Sequence, residues 1–323
     1  MSVADNGDAD GGRAGGSPPN DDGPLSGDSV FTWFGDRIRS RNASNVFLLV
    51  PIVAFELVFF LVPFLILLRM SVNAQSSQAF FEPAWTLNSY FAVIQSDVTM
   101  GIVLFSFKLG VIATTLSVLV GLFYAYAIYR TDGLTQASLL FAVILTLLTT
   151  LVVKTYAWRP ILTPDGLVNK ALLAAGVIGD PIQLAPGIVG TVIGQVYVVL
   201  PYSILAIYSV FSTLDWEIVE AARDLGASRP RSFFEVVLPE VLPGVAVATV
   251  VSFAWSVGAY AAPSQLGTGT QTTFAMEVGN LMLSNFNWPM ASALAVLMLA
   301  AMLVVSVVLF RLLNRAGGGL QNV

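Results

Sequence analysis

The chain has 323 residues, 56% of them hydrophobic and only 11% charged, with a mean hydropathy of +0.78; soluble domains carry about 25% charged residues, so a protein built for water is excluded. It contains no Cys and no His, which removes disulfides, thiolate and imidazole catalysis, Ser-His-Asp triads and the usual zinc sites. The net charge of −5 sits in the first 35 residues, which hold six Asp and one Arg, while the remainder is neutral, so no basic surface suggests a nucleic acid.

Residues 1–45 are rich in Gly, Pro, Asp, Ser and Asn. Such a segment buries too little apolar surface to offset its ordering entropy, so it reads as a disordered acidic tail with a short juxtamembrane stretch. It is acidic and lacks an early apolar core, unlike a signal peptide. Six apolar stretches follow, near 46–68, 102–129, 137–157, 187–211, 241–262 and 291–313. A helix needs about 20 apolar residues to cross a bilayer. The stretches lack barrel alternation, so they predict an all-α membrane protein with six transmembrane helices over 46–313, then a short tail, 314–323. Arg37, Arg39, Arg41, Arg130, Arg223, Arg229, Arg231, Arg311 and Arg315 all fall on one side of such a six-span chain. That side is expected to be cytoplasmic, with both termini there. The turn signal Thr163-Pro164-Asp165-Gly166 precedes a short apolar run to Val177, which reads as an interfacial helix or a cavity lining. Pro63 and Pro201 either kink their spans or are the proline common in membrane helices.

The segment 212–240 lies on the Arg-rich side. Asp215 can cap a helix whose positive end Glu217 complements. Ile218, Ala221, Ala222 and Leu225 recur at helical spacing as one apolar stripe. Gly226 fits the left-handed stop after a helix. Ser228 can cap a second helix that tolerates Pro230 in its first turn and is expected to end at Pro239, with Phe233, Phe234 and Val237 on its apolar face. A helix-turn-helix of this kind suits docking into a groove on another protein.

The same segment reads Glu220-Ala221-Ala222, three residues, Gly226, nine residues, Val236, one residue, Leu238-Pro239. It resembles the EAA motif of binding-protein-dependent ABC importer permeases, EAA-x3-G-x9-I-x-LP, with Val for Ile as the one departure. The resemblance spans about 46–313 and implies the type I (MetI-like) permease fold of the bacterial inner membrane. It implies that Glu220, Ala221, Ala222, Gly226, Leu238 and Pro239 couple the permease to a dimer of ATPase subunits, which bind ATP and Mg, while this chain binds no cofactor. It further implies a second homologous permease, an extracytoplasmic solute-binding protein and membrane lipid as partners. Thr155-Tyr156-Ala157-Trp158, Gly166-Leu167-Val168-Asn169, Tyr260-Ala261-Ala262-Pro263, Leu266-Gly267 and Asn287-Trp288-Pro289 are similar to the polyamine permease branch. Lys154 stands where that branch leads one to expect Arg, and Gly267-Thr268 where it leads one to expect Gly-Gly. Branches for iron, phosphonates, opines and other small solutes share part of these signals.

The candidate substrate path comprises Glu56, Tyr156, Trp158, Tyr260 and Glu277. A charge at the bilayer centre costs about 2.5–3.5 kcal/mol, so Glu56 either lines a path for a cation or is a protonated or lysine-paired structural group, with Lys108 or Lys154 as candidate partners. The aromatics either hold an ammonium by cation–π contact, beside Glu277, Asp97 or Asp165, or anchor helix ends at the interface. None of the three lysines follows a Gly, so no phosphate-binding Gly-Lys-Ser/Thr exists, and ATP hydrolysis is expected in separate subunits. A membrane-embedded enzyme would need a catalytic cluster that does not appear. A stand-alone secondary transporter or channel is the other alternative, and no internal repeat supports the former of these.

Overall fold

The computed structural model describes residues 43–76 and 79–317. The expected acidic tail lies outside them, apart from residues 43–45, as does the C-terminal tail beyond Gly317. The chain divides into two compact units, one ending at Val62 and one starting at Pro63. The first holds helix α1 (Ala43–Glu56) and a π-helical turn, Leu57–Leu61. Its apolar side chains Ile52, Phe55 and Phe59 are exposed, and Phe55 stacks on Phe59 one turn along at 4.3 Å. This suits a lipid-facing stretch.

The second unit contains the remaining helices: α2 (Val62–Ser71, whose first residue belongs to the other unit), α3 (Asn88–Gln95), α4 (Asp97–Tyr129), α5 (Gly133–Leu148), α6 (Leu151–Tyr156), α7 (Arg159–Leu162), α8 (Leu167–Ala174), α9 (Ile188–Phe211), α10 (Trp216–Asp224), α11 (Arg229–Ser232), α12 (Leu238–Val257), α13 (Ala261–Leu266), α14 (Phe274–Leu283) and α15 (Trp288–Gly317). Among the described residues there is no strand, only an isolated bridge between Ala74 and Glu82. Among the described residues five helical segments are long and apolar enough to cross a membrane: Val50–Ser71, Asp97–Tyr129, Ile188–Phe211, Arg229–Val257 and Trp288–Leu313.

The third expected span, 137–157, is not one helix. α5 stops at Leu148, and the chain bends by 107° into the segment Leu151–Ala174. Thr149 and Thr150 adopt extended ψ angles of 135° and 148°, and Thr149 Oγ1 donates to Leu145 O at 3.0 Å. Two β-branched residues whose hydroxyls compete for helix carbonyls are a weak point for helix continuation. The broken pair still traverses the fold. Gln136, in the first turn of α5, donates to the hydroxyl of Tyr208, near the end of α9, whereas Ala185 N, just before α9, donates to Leu162 O of α7. The described residues thus hold five long candidate spans, and six where the bent pair is taken as one interrupted span.

The fifth expected span also changes at both ends. It ends at Val257 instead of 262, with α13 a separate short helix. At its start, Pro239 does not terminate the preceding helix. Arg229–Val257 runs as one apolar segment through a π turn, Phe233–Val237. Proline clashes with the carbonyl four residues back and lacks an N–H. The wider turn just before it shifts the pairing, and Leu238 N–H bonds five residues back, to Phe233 O. The π turn Leu57–Leu61 precedes Pro63 by the same interval. Helix α9 passes through Pro201 unbroken.

Helices α4, α9 and α12 pack against each other and form the centre of this unit, with α15 against α12 and α14. Small residues let them approach. A Cβ on Gly121 would lie 3.0 Å from Ser203 Cβ, and one on Gly244 3.0 Å from Ala206 O. Ser203 and Ser252 hydrogen-bond across the α9–α12 contact at 2.7 Å. Lipid tails are as apolar as leucine, so helices in a membrane associate through such close contacts and interhelical hydrogen bonds. The turn 163–166 forms as its sequence predicts, with Gly166 N donating to Thr163 O at 2.8 Å. Buried Asn169 on α8 then ties that loop to Ile182 through both its amide atoms, each at 2.9 Å.

Gly121→Leu is expected to destabilise the detergent-solubilised protein by about 1–3 kcal/mol through overpacking. Gly101→Leu, where nothing lies within 4 Å of an added Cβ, is the control and should melt near wild type. Equal melting temperatures for the two variants would contradict the packing role of Gly121.

Candidate functional site

The segment 212–240 folds as two helices around a sharp stop. Asp215 caps α10 by accepting from Glu217 N at 2.9 Å. At the other end Gly226 has φ +94°, with Gly226 N on Arg223 O at 2.8 Å and Ala227 N on Ala222 O at 3.1 Å. This pair of bonds is the Schellman stop, which needs a left-handed residue at the position of Gly226. Ser228 occupies the N-cap position of α11 but makes no side-chain capping bond; its carbonyl accepts from Ser232 N instead.

The faces of α10 divide cleanly. Glu217, Ile218, Glu220, Ala221 and Leu225 are exposed, Leu225 by 90%, and Phe234 stands exposed beyond the stop. The opposite stripe, Trp216, Val219 and Arg223, turns inward, with Val219 fully buried. Sequence reasoning picked out the outward stripe and missed the inward one, although the spacing of 216, 219 and 223 carries a helical signal. The expected common apolar face of Phe233, Phe234 and Val237 is split: Phe233 and Val237 pack inward and Phe234 points out, while Leu238 and Pro239 are half-buried.

The inward stripe rests on the ends of α4 and α9. Trp216 lies 5.8 Å from the Tyr129 ring and beneath the guanidinium of Arg130 at 4.4 Å. Tyr129 stacks on Phe211 at 5.5 Å and donates to Leu214 O at 3.0 Å. Tyr126 meets Phe233 edge-on at 5.2 Å. Arg223 bridges the two halves by donating to Ser232 Oγ at 3.3 Å. Arg231–Glu235, at 2.9 Å, is an exposed salt bridge, the one ion pair among the described residues. The product is an apolar and acidic knob, built on a rigid aromatic base and turned away from its own bundle.

The candidate path residues do not form one cluster. Tyr260 lines a cleft of about 280 Å³ with Leu151, Gln195, Val198, Ala254, Trp255, Gly258, Ala259 and Ala261. Tyr156 and Trp158 are not in its lining. Tyr156 is exposed and lies 5.9 Å from the Arg159 guanidinium. Trp158 packs edge-on to Tyr197 at 5.6 Å beside the small core of Leu162, Ala185 and Leu266. Glu277 is half-buried in the first turn of α14. Glu56 ends α1 in the other unit and is exposed. Asp97, Asp165 and Lys108 are exposed, whereas Lys154 is buried on α6. The cleft residues that sequence reasoning missed are Gln195 and Trp255. A glutamine inside an apolar span was the available signal for the first.

Comparison with known proteins agrees with this geometry. The family model described as binding-protein-dependent transport system inner membrane component matches residues 117–316. The spermidine/putrescine transport system permease protein PotB of Haemophilus influenzae is 30% identical over 274 residues, covering 82% of this chain and 94% of that protein. PotB of Escherichia coli is 26% identical over 271 residues, covering 83% and 98%. The molybdenum transport system permease protein ModB of Mycobacterium bovis is 29% identical over 223 residues, covering 68% and 82%. Among solved structures, a bacterial ABC transporter that imports the acidic polysaccharide alginate superposes with a TM-score of 0.71 at 16% identity, covering 88% of this chain and 99% of that one. That likeness places the fold with importer permeases. The outward-turned 212–240 segment thus occurs in a helical chain that belongs to the binding-protein-dependent transport system inner membrane component family and is the membrane-spanning permease subunit of an ABC importer.

Proposed function

We propose that this permease imports a small polyamine-like cation, received from a solute-binding protein outside, and is driven by a separate ATPase dimer that docks on the 212–240 segment. A second, homologous permease completes the path. The observation that carries the coupling role is the exposed stripe Ile218, Ala221 and Leu225 with Glu220, held off the bundle by the buried Trp216–Val219 side. An apolar helical face with few charges is the surface that a groove on a partner accepts. Nucleotide closes the ATPase dimer, the knob moves with it, and the spans behind it alternate between outward and inward openings. The polyamine class is supported by the relatives named for spermidine and putrescine, which match over more than four fifths of this chain. An oxyanion is the second reading. It is favoured by buried Lys154 and by the relative named for molybdenum.

The arginines at the knob end, Arg130, Arg223, Arg229 and Arg231, support a cytoplasmic knob, and those flanking the first and last spans support cytoplasmic termini. A reporter active only outside the cytoplasm should therefore be silent at the C-terminus and active when inserted at Gly269, in the opposite-side segment. Activity at the C-terminus would reverse the orientation.

Gly226→Val puts a β-branched residue at φ +94°, where it is badly strained. The space around that Cβ is open, so the effect is on the turn and not on the packing of the bundle. In a reconstituted complex this variant should insert normally, lose ATPase stimulation by the loaded binding protein, and lose uptake. Glu220→Ala should weaken coupling less, because it removes one polar contact and leaves the geometry intact. Wild-type coupling in Gly226→Val would refute the docking assignment.

A further inference from the structure

Two interruptions of the membrane helices meet at one cleft. The first is Thr149–Thr150, between α5 and α6, and Leu151 just past it lines the cleft. The second is Gly258–Tyr260, between α12 and α13, and all three of its residues line the cleft. The first break falls about 24 Å along the helix from Gly133, within the thickness of a bilayer. Non-helical backbone at that depth is tolerated only where it is buried in protein or borders a water-filled cavity. Interrupted helices in transporters also supply solute sites, because they free backbone groups and admit water.

The lining chemistry narrows the occupant. Trp255 is 45% exposed, and its ring stacks on Tyr202 at 5.1 Å. Tyr260 offers a second exposed ring. Gln195 is 98% buried by its relative exposure of 2%, and its Nε2 donates to Ser256 Oγ at 3.4 Å. Among the described residues nothing donates to its Oε1, which leaves that atom to accept from a ligand N–H. No Asp, Glu, Lys or Arg lines the cleft. Indole and phenol faces attract cations. A site without a carboxylate holds an ammonium weakly enough to release it, as conduction requires.

We propose that this cleft is the membrane-embedded station for the transported organic cation, with Trp255, Tyr260 and Gln195 as its contact residues. The proposal rests on the reading above that the solute is a polyamine-like cation. Trp255 contributes its π face, and Gln195 Oε1 accepts one ammonium hydrogen. Because Trp255 sits near one end of the Arg229–Val257 segment and the docking segment begins the other, motion at the knob reaches the station through one helix.

The test uses the full complex in proteoliposomes, with its binding protein and ATPase, and radiolabelled spermidine as probe. Trp255→Leu should lower uptake about tenfold, the loss of one desolvated cation–π contact, while Trp255→Phe retains most of it. Gln195→Glu should lower KM and kcat together, because a buried carboxylate grips the ammonium; a merely structural glutamine would not give that split. Tyr260→Leu alters an exposed side chain and guards against misfolding, and it should also reduce uptake while binding-protein-stimulated ATPase persists. Wild-type spermidine uptake in Trp255→Leu, Tyr260→Leu and Gln195→Glu would overturn the station and leave the proposed function standing. A wild-type complex that imports molybdate and not spermidine would overturn the cation reading itself, and the station with it.

Discussion

The close approach of α4, α9 and α12 is the constraint on which the rest depends. Helices in lipid gain nothing from hiding leucine from a hydrocarbon solvent, so they must touch closely to associate. Here they do so at positions where a side chain has no room. A Cβ on Gly110 would sit 2.6 Å from Val257 Cγ2, and one on Gly121 3.0 Å from Ser203. Buried Ser203 and Ser252 add a hydrogen bond at 2.7 Å, and Ser117 donates to Val196 O at 3.5 Å. Large apolar residues such as Leu104, Phe123 and Val251 remain on the outside. Small residues thus sit at the closest helix contacts, while many large apolar side chains face outward.

That contact also positions both functional regions. It gathers the ends of α4 and α9 so that Tyr126, Tyr129 and Phe211 form one aromatic base. The 212–240 segment is held on this base by Trp216, Val219 and Phe233. Near the far end of the same helices, Gln195 and Trp255 face the cleft.

The π turn at Phe233–Val237 connects the two regions. It accommodates Pro239, which lacks an N–H and crowds the carbonyl four residues back. With it, Arg229–Val257 is a segment of 29 residues, about 43 Å long at the α-helical rise. Phe234 and Trp255 thus lie on one helical segment whose backbone hydrogen bonds are shifted in register at the π turn and not lost. The two threonine residues at 149–150 do the opposite work. They interrupt the helix, and Leu151 just past them lines the cleft.

The amino-acid sequence by itself determined the class of the molecule, its long apolar helices and the helix, stop and second helix of the 212–240 segment. Those features are local. Runs of apolar residues form helices of membrane length, and Asp215 and Gly226 begin and end a helix by their own side-chain or backbone chemistry. Tertiary structure alone decided the break at Thr149–Thr150, the passage through Pro239 and the company of Tyr260. A threonine pair is tolerated in many membrane helices, and a proline ends many, so only the surrounding packing selects between continuing and breaking. Tyr156, Trp158 and Tyr260 look alike as interfacial aromatics along the chain. The fold separates them because α13 packs against α6 and α9, which turns Tyr260 toward Gln195 and Trp255 while Trp158 is taken up by Tyr197. Which polar and aromatic groups share a cleft is a matter of non-local contact, and no spacing along one chain encodes it.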